Sequence, residues 1–134
     1  MGNRAVIKFG GTSQGIYLHW NGGQESVKAF LDCAKRYGLR GNDTSYGRAR
    51  LCQIIGNFFG GTLSLGVDDV RFLDCDNYDN GMYILDDAWN IDKREYVPDY
   101  MVDAPFNQEY YEAVFQECCE KNDAIFNYSE EVQS

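Results

Sequence analysis

Residues 4–20 read RAVIKFGGTSQGIYLHW, and this stretch decides the fold. Both of its ends are rich in β-branched and aromatic residues, which favour β-strands. Residues 10–14 between them are typical of a turn, so the stretch predicts an opening β-hairpin. Because antiparallel strands can be joined by a short turn, whereas parallel strands need a long crossover, the hairpin favours an antiparallel sheet.

Two apolar patterns with helical spacing follow the hairpin. The first predicts a helix over residues 24–37 with a single apolar stripe, ended by Gly38. The second predicts a helix over residues 48–59 whose apolar face is too wide for a surface position, so we expect it to be the central element covering the sheet. Four of its side chains are predicted to be buried: Leu51, Ile54, Ile55 and Phe58.

From Thr62 onward the apolar residues alternate along the chain instead of following helical spacing. This alternation predicts a meander of three or four antiparallel strands, since every second side chain then faces the core. The predicted strands cover residues 62–65, 70–73, 82–85 and 89–97.

The remaining segment predicts a final helix that begins near Asn107, followed by a frayed tail over residues 122–134. The element order then predicts a single α+β domain over residues 1–134. In this fold an antiparallel β-sheet, made of the opening hairpin and the C-terminal meander, is covered by two or three α-helices.

Charge is distributed unevenly along the 134 residues, whose net charge is −9. Residues 1–61 carry eight Lys and Arg against three Asp and Glu, whereas residues 62–134 carry four against 18. An acidic surface of this density repels nucleic acids and membranes and attracts basic surfaces. We therefore expect a protein partner with a basic surface, and neither direct nucleic-acid binding nor membrane binding.

The compartment follows from what the chain lacks. No apolar run approaches the roughly 20 residues that cross a bilayer, and Arg4 interrupts the apolar stretch that a secretory signal would need. The five cysteines have no CxxC spacing, which favours reduced thiols over a disulfide framework or a zinc site. These features predict a cytoplasmic protein, and they leave its oligomeric state open, with a dimer as one option.

Catalytic motifs are missing from the sequence. His19 is the only histidine, so any histidine-dependent reaction would have to use it, and no nucleophile motif accompanies it. No catalytic residue is predicted. An enzyme stays open only as a third option, through His19 and the carboxylates between Asp74 and Asp79.

The most polar segment is DCDNYDNG at residues 74–81. A calcium loop starting at Asp76 would match the expected pattern at Asn80 and Gly81, but Tyr78 occupies its third position. Asn80-Gly81 is also a strong turn signal. We interpret the segment as a solvated hairpin loop with cation binding left open, and no metal or cofactor is predicted.

Acidic side chains in the last third of the chain recur at helical spacing. Four glutamates are predicted to share the outward face of the final helix: Glu109, Glu112, Glu117 and Glu120. Three loop carboxylates are predicted to add to the same partner-binding surface: Asp74, Asp76 and Asp79. Regular negative charge on a rigid element is what a nucleic-acid mimic needs in order to occupy a basic groove. A merely solubilising face is the alternative.

The glycine pair Gly22-Gly23 stands directly before the first predicted helix. The free N–H groups of a helix N-terminus favour anions, and Lys28 or Arg48 would supply a nearby cation. This arrangement predicts, as the alternative function, a binder of a small phosphorylated ligand or signalling nucleotide. A structural turn would also explain the glycines.

Three further motifs are GNRAVI at residues 2–7, GIYLHWNGG at 15–23 and RLCQIIGNFFGG at 50–61. Together they resemble a family of small uncharacterised acidic proteins of gut bacteria and their mobile elements, over the chain up to about residue 95. The resemblance implies no catalytic residue or ligand. It implies a setting in which small acidic proteins often inhibit host defence, as anti-CRISPR proteins do, and it thereby favours the mimic hypothesis.

Overall fold

The computed structural model describes residues 3–39, 45–60 and 63–133, with side chains up to residue 126. The strands are β1 (Ala5–Lys8), β2 (Gln14–Leu18), β3 (Leu65–Asp69), β4 (Met82–Leu85) and β5 (Ile91–Glu95). The helices are α1 (Gln24–Arg36), α2 (Ser45–Phe59) and α3 (Gln108–Gln133), and two short 3-10 turns cover Val70–Phe72 and Asp99–Met101.

The five strands form one sheet in the order β3-β2-β1-β4-β5. All neighbouring strands are antiparallel except the central pair β1 and β4, which is parallel. Together with the three helices, this sheet confirms the predicted α+β class and the opening hairpin.

The C-terminal strands are arranged differently from a simple meander. Strand β3 pairs with β2 at one edge, whereas β4 and β5 form a hairpin on the other side of β1. Residues 70–73 do not form the strand predicted there, because the Asp69 carboxylate accepts a 2.9 Å hydrogen bond from the Arg71 main-chain N–H and caps a 3-10 turn instead.

One face of the sheet packs against α1 and α2. The core joins sheet residues such as Ile7, Ile16 and Tyr83 to Phe30 of α1 and to the apolar side of α2. The four α2 side chains predicted to be buried (Leu51, Ile54, Ile55 and Phe58) are buried, but α2 is not the single central covering element, because α1 buries seven residues against the five of α2. No helix among the described residues combines the length and the apolar character needed to cross a membrane.

Helix α3 packs against α1 and α2. It is capped as predicted, because the Asn107 side-chain oxygen accepts a 3.1 Å hydrogen bond from the Tyr110 main-chain N–H. The helix continues to Gln133, where the sequence predicts a frayed tail. Asn122, the first residue of that tail, is buried and donates to the main-chain oxygens of Ile54 at 3.2 Å and Cys118 at 2.8 Å.

Candidate binding surfaces

The four predicted glutamates of α3 are all exposed. The opposite side of the helix supplies Val114, Cys118 and Cys119 to the core. These exposed glutamates, Glu109, Glu112, Glu117 and Glu120, are called the α3 acidic face below. The structure therefore brings all four to one side of a helix that is held from behind.

The loop carboxylates are not equivalent to those of the helix. Asp79 Oδ2 accepts hydrogen bonds from the main-chain N–H of Arg4 at 3.0 Å and from its Nε at 2.8 Å, and Asp74 forms a second ion pair with Arg4 at 3.3 Å. Asp76 is exposed. Two of the three predicted loop acids are thus already paired within the protein, and only Asp76 is presented to solvent without such a bond among the described residues.

The loop also lies away from α3. Val6 and Met82 are paired across β1 and β4, and their side chains point to the sheet face opposite Ile7, which packs under the helices. Cys75 of the loop contacts Met82, with 3.8 Å between the sulfur atoms. The acids predicted to form one partner-binding surface therefore divide between the two sides of the sheet.

The loop is organised by one buried asparagine. The Asn77 side-chain oxygen accepts hydrogen bonds from the main-chain N–H groups of Asp79, Asn80 and Gly81, at 3.0 to 3.1 Å. Its amide nitrogen donates to the main-chain oxygens of Asp74 and Gly81. Among the described residues, no group of three or more His, Cys, Asp or Glu side chains is arranged to hold a metal ion.

The residues predicted to hold a phosphorylated ligand do not form one site. The Gly22 N–H donates to the Asn3 main-chain oxygen at 2.8 Å, and the Gly22 oxygen accepts from the Tyr83 hydroxyl at 2.8 Å, so both groups serve the fold. Arg48 lies over the ring of Phe9, at 5.4 Å from the ring centroid. Lys28 lines a cavity to which Gly22, Gly23 and Arg48 contribute nothing.

His19 follows directly after the end of β2 at Leu18. Its Nδ1 lies 2.8 Å from the Tyr17 hydroxyl, and its ring packs edge-on against Trp20. No carboxylate among the described residues forms a hydrogen bond or an ion pair with it. The structure does not bring it together with the loop carboxylates in a catalytic arrangement.

The cysteines are free thiols. Three of them, Cys33, Cys118 and Cys119, meet where α1 packs against α3, with 3.6 Å between the sulfurs of Cys33 and Cys119. Burial and then the hydrogen bond with Cys33 raise the pKa of Cys119 to about 11. The thiol stays protonated near neutral pH, so it is a poor nucleophile.

A cavity of about 360 Å³ opens between α1 and the β4–β5 hairpin. Its walls combine basic, polar and aromatic side chains from three parts of the chain. They include Gln24, Lys28, Asp32 and Lys35 of α1, Tyr83, Trp89, Asn90 and Arg94 of the hairpin, and Phe106 of the following loop. Among the described lining residues, three carry positive charge and one carries negative charge.

Among these charged side chains, Arg94 has the least of its charge balanced by a carboxylate. It is partly buried, and its guanidinium lies 4.4 Å from the ring centroid of Tyr83. Nη2 donates to the Asn80 main-chain oxygen at 2.8 Å, whereas Nε is buried without a hydrogen-bond partner. Within the part of the chain that the structure describes, no carboxylate forms an ion pair with it.

The two lysines of the cavity share a single carboxylate. Asp32 accepts from Lys28 Nζ at 2.7 Å and lies 4.0 Å from Lys35 Nζ. It also accepts a hydrogen bond from the Tyr111 hydroxyl, and Lys35 Nζ in turn donates to the Asn90 side chain. Burial and the hydrogen bond to Asp32 raise the pKa of Tyr111, so the hydroxyl stays neutral.

Of the residues predicted to bind a partner or ligand, Lys28 is the one that lines this cavity. Strand β5 pairs with β4 so that Arg94 lies opposite Tyr83, on the sheet face covered by helices. An arginine at a strand position that faces the core indicates a candidate binding site. Arg94 would have been recognised as such a residue if the register of β5 had been known. That register depends on pairing with β4, which the alternation within β5 does not specify.

Comparison with family models, with curated proteins and with solved structures finds no match to this chain.

Proposed function

We propose that this protein is a non-enzymatic interaction protein whose α3 acidic face occupies a basic, nucleic-acid-binding surface of another protein. The observation that carries the proposal is the exposure of four glutamates on a helix that is packed from behind against α1 and α2. Since such a helix does not have to be ordered on binding, its charges are presented at low entropic cost.

The spacing of the charges supports a mimic. The α3 acidic face extends over residues 109–120, which corresponds to about 17 Å of helix, and its members fall within roughly 140° of arc. One strand of a duplex carries about five phosphates over the same length. Four carboxylates on one helix face therefore approach the linear charge density of a nucleic-acid strand.

Little of this charge is neutralised within the chain. Glu117 is the one member with an ion-pair partner among the described residues, Lys121 at 3.7 Å. Glu112 and Glu120 accept hydrogen bonds from neutral glutamine side chains of the same helix. The negative charge is consequently available to a basic partner.

The kind of partner is inferred from the mobile-element setting that the resemblance implies. The motifs that resemble small acidic proteins of mobile elements favour a defence protein of the host as the target, in the manner of an anti-CRISPR inhibitor. An RNA-guided nuclease presents long basic channels to nucleic acid, which an acidic helix can enter.

The proposal is tested by competition for a defined nuclease. RNA-guided nucleases of gut bacteria, loaded with guide RNA, are incubated with a fluorescent target duplex and increasing amounts of this protein. We expect displacement of the duplex at about 0.1 M salt and at least tenfold weaker displacement at about 0.5 M, because exposed charges are screened.

A matched pair of variants separates a patterned face from bulk acidity. Replacing the four glutamates of the α3 acidic face by glutamine is expected to abolish displacement. The control replaces four exposed aspartates elsewhere by asparagine, with the same change in net charge: Asp87, Asp92, Asp99 and Asp103. Equal loss in both variants, or equal retention in both, contradicts the proposal.

A further inference from the structure

The cavity between α1 and the β4–β5 hairpin carries an excess of positive charge in a strongly acidic protein. Lys28, Lys35 and Arg94 are balanced by Asp32 alone among the described lining residues, whereas the whole chain has a net charge of −9. A half-buried guanidinium without a counterion is unfavourable unless an anion completes it. The described lining of the cavity thus has a formal net charge of +2, from three cations and one carboxylate, and an anionic ligand would balance it.

The missing charge fits a phosphate monoester. Such a group carries about −1.5 to −2 at neutral pH and offers several strong hydrogen-bond acceptors. Arg94 supplies a cation that its contacts with Tyr83 and the Asn80 main-chain oxygen hold in place, and Lys35 supplies a flexible second cation. A carboxylate, with one charge, would leave the cavity positive.

The aromatic side chains of Trp89 and Phe106 line the cavity together with the aliphatic Leu31 and Ile91. Trp89 is 6% exposed and is held edge-on by Phe9, with 6.1 Å between the ring centroids. Phe106 is 40% exposed at the wall formed by the loop after β5. That wall is tied to α1, because the Gln24 amide donates to the Ala104 main-chain oxygen at 3.2 Å.

Charge, rings and size together identify the ligand class. We propose that this cavity binds a small phosphate monoester that carries a planar ring, a ligand of about the size of a nucleoside monophosphate. The cavity volume of about 360 Å³ is near the lower end of the range for small-molecule sites, which runs from roughly 300 to 1,000 Å³.

This site is separate from the α3 acidic face, and either proposal can fail alone. None of the four glutamates of that face lines the cavity. The site also differs from the predicted anion site at the start of α1, since Gly22, Gly23 and Arg48 take no part in it.

The binding test is isothermal titration with defined probes. The four ribonucleoside 5′-monophosphates, the four matching nucleosides and inorganic phosphate are titrated separately into the intact protein. We expect at least one monophosphate to bind with a Kd of about 0.1 mM or tighter. Its nucleoside and inorganic phosphate are expected to bind at least about tenfold more weakly, because each provides only half of the contacts.

Two variants test where the ligand binds. Asn90→Asp keeps the side-chain shape but sets a carboxylate beside Lys35, and Arg94→Gln removes the guanidinium. Each is expected to weaken binding of the monophosphate at least about tenfold. The control is Gln53→Glu, which makes the same charge change as Asn90→Asp at an exposed position of α2 and is expected to leave the Kd unchanged.

Three results overturn the proposal. They are the absence of binding by all four monophosphates at about 1 mM, equal affinity for a monophosphate and its nucleoside, and equal affinity in Asn90→Asp and Gln53→Glu. Since Asn90 is exposed and the replacement is isosteric, Asn90→Asp is expected to fold, which urea unfolding of the variant verifies.

Discussion

The loop over residues 74–81 and the outer face of α3 are both acidic, and they use their charges in opposite ways. In the loop, Asp74 and Asp79 are paired with Arg4, and Asn77 bonds the backbone around them. On α3, the glutamates are exposed, and only Glu117 has a salt-bridge partner among the described residues. Acidic residues that look alike in the sequence thus hold the fold together in one region and are free for a partner in the other.

The two acidic regions differ in how far apart along the chain the residues that position their carboxylates lie. Arg4 is separated from Asp79 by 75 residues, so its role is invisible to any local pattern. The glutamates of α3 need no distant partner to be placed, since helical spacing alone puts them on one face. If this comparison is right, removing one polar group from the loop costs more stability than removing four charges from the helix.

The largest expected effect is that of Asn77→Ala. The substitution removes the acceptor of three main-chain N–H groups and the donor to two main-chain oxygens. Leaving buried polar groups unpaired costs about 1–3 kcal/mol each when water cannot reach them, so we expect the free energy of unfolding to fall by about 2–4 kcal/mol. Urea unfolding followed by circular dichroism measures it.

The control for this variant is Gln53→Ala, at an exposed position of α2. Its free energy of unfolding is expected to stay within about 0.5 kcal/mol of the parent protein, as is usual for surface substitutions. A loss below about 1 kcal/mol in Asn77→Ala would show that the loop is not a structural unit, and the comparison would fail.

The next effect is that of Asp79→Asn. This change removes the charge from two hydrogen bonds with Arg4, and we expect the free energy of unfolding to fall by about 1–2 kcal/mol at pH 7. Burial alone would raise the pKa of Asp79, but the hydrogen bonds and the positive charge of Arg4 outweigh it and lower this pKa below its usual value.

The pH dependence of that loss follows from the lowered pKa. A carboxyl group that binds a proton less readily in the folded state stabilises the fold above the unfolded pKa of about 4, and this contribution disappears as the pH falls below it. The difference in free energy of unfolding between the parent protein and Asp79→Asn should therefore have its full size at pH 7 and decrease from about pH 4 downward. Urea unfolding at several pH values measures it, with the exposed Asp87→Asn as the control. A difference in free energy of unfolding that is as large at about pH 2 as at pH 7 would contradict this account.

The features that the sequence predicts correctly depend on neighbours a few residues apart. β-branched and aromatic residues around a turn located the opening hairpin, helical spacing located the buried side of α2, and an N-cap residue type located the start of α3 at Asn107. Alternation failed at Val70–Phe72, because two apolar residues that flank an arginine occur both in strands and in short turns.

The features that were missed depend on partners far apart in the chain. Periodicity shows which side of a strand is buried but not which strand lies beside it. The parallel pairing of β1 with β4 and the pairing of Arg4 with Asp79 are both of this kind. The cavity is a further case, since Lys35 and Asn90, which meet in its wall, are 55 residues apart.

The smallest expected effect is that of the quadruple replacement of the α3 acidic face by glutamine. Its one ion pair, Glu117 with Lys121, is about half exposed at both ends, and such a pair contributes at most about 0.5 kcal/mol. Glu109 in the first turn favours the helix dipole, whereas the like charges at 109 and 112 and at 117 and 120 oppose the helix by a similar amount. The opposing contributions should leave the free energy of unfolding within about 0.5 kcal/mol of the parent protein, measured by urea unfolding at about 0.15 M salt. A loss above about 1.5 kcal/mol would assign these glutamates a structural role like that of Asp79 and would remove the difference between the two acidic regions.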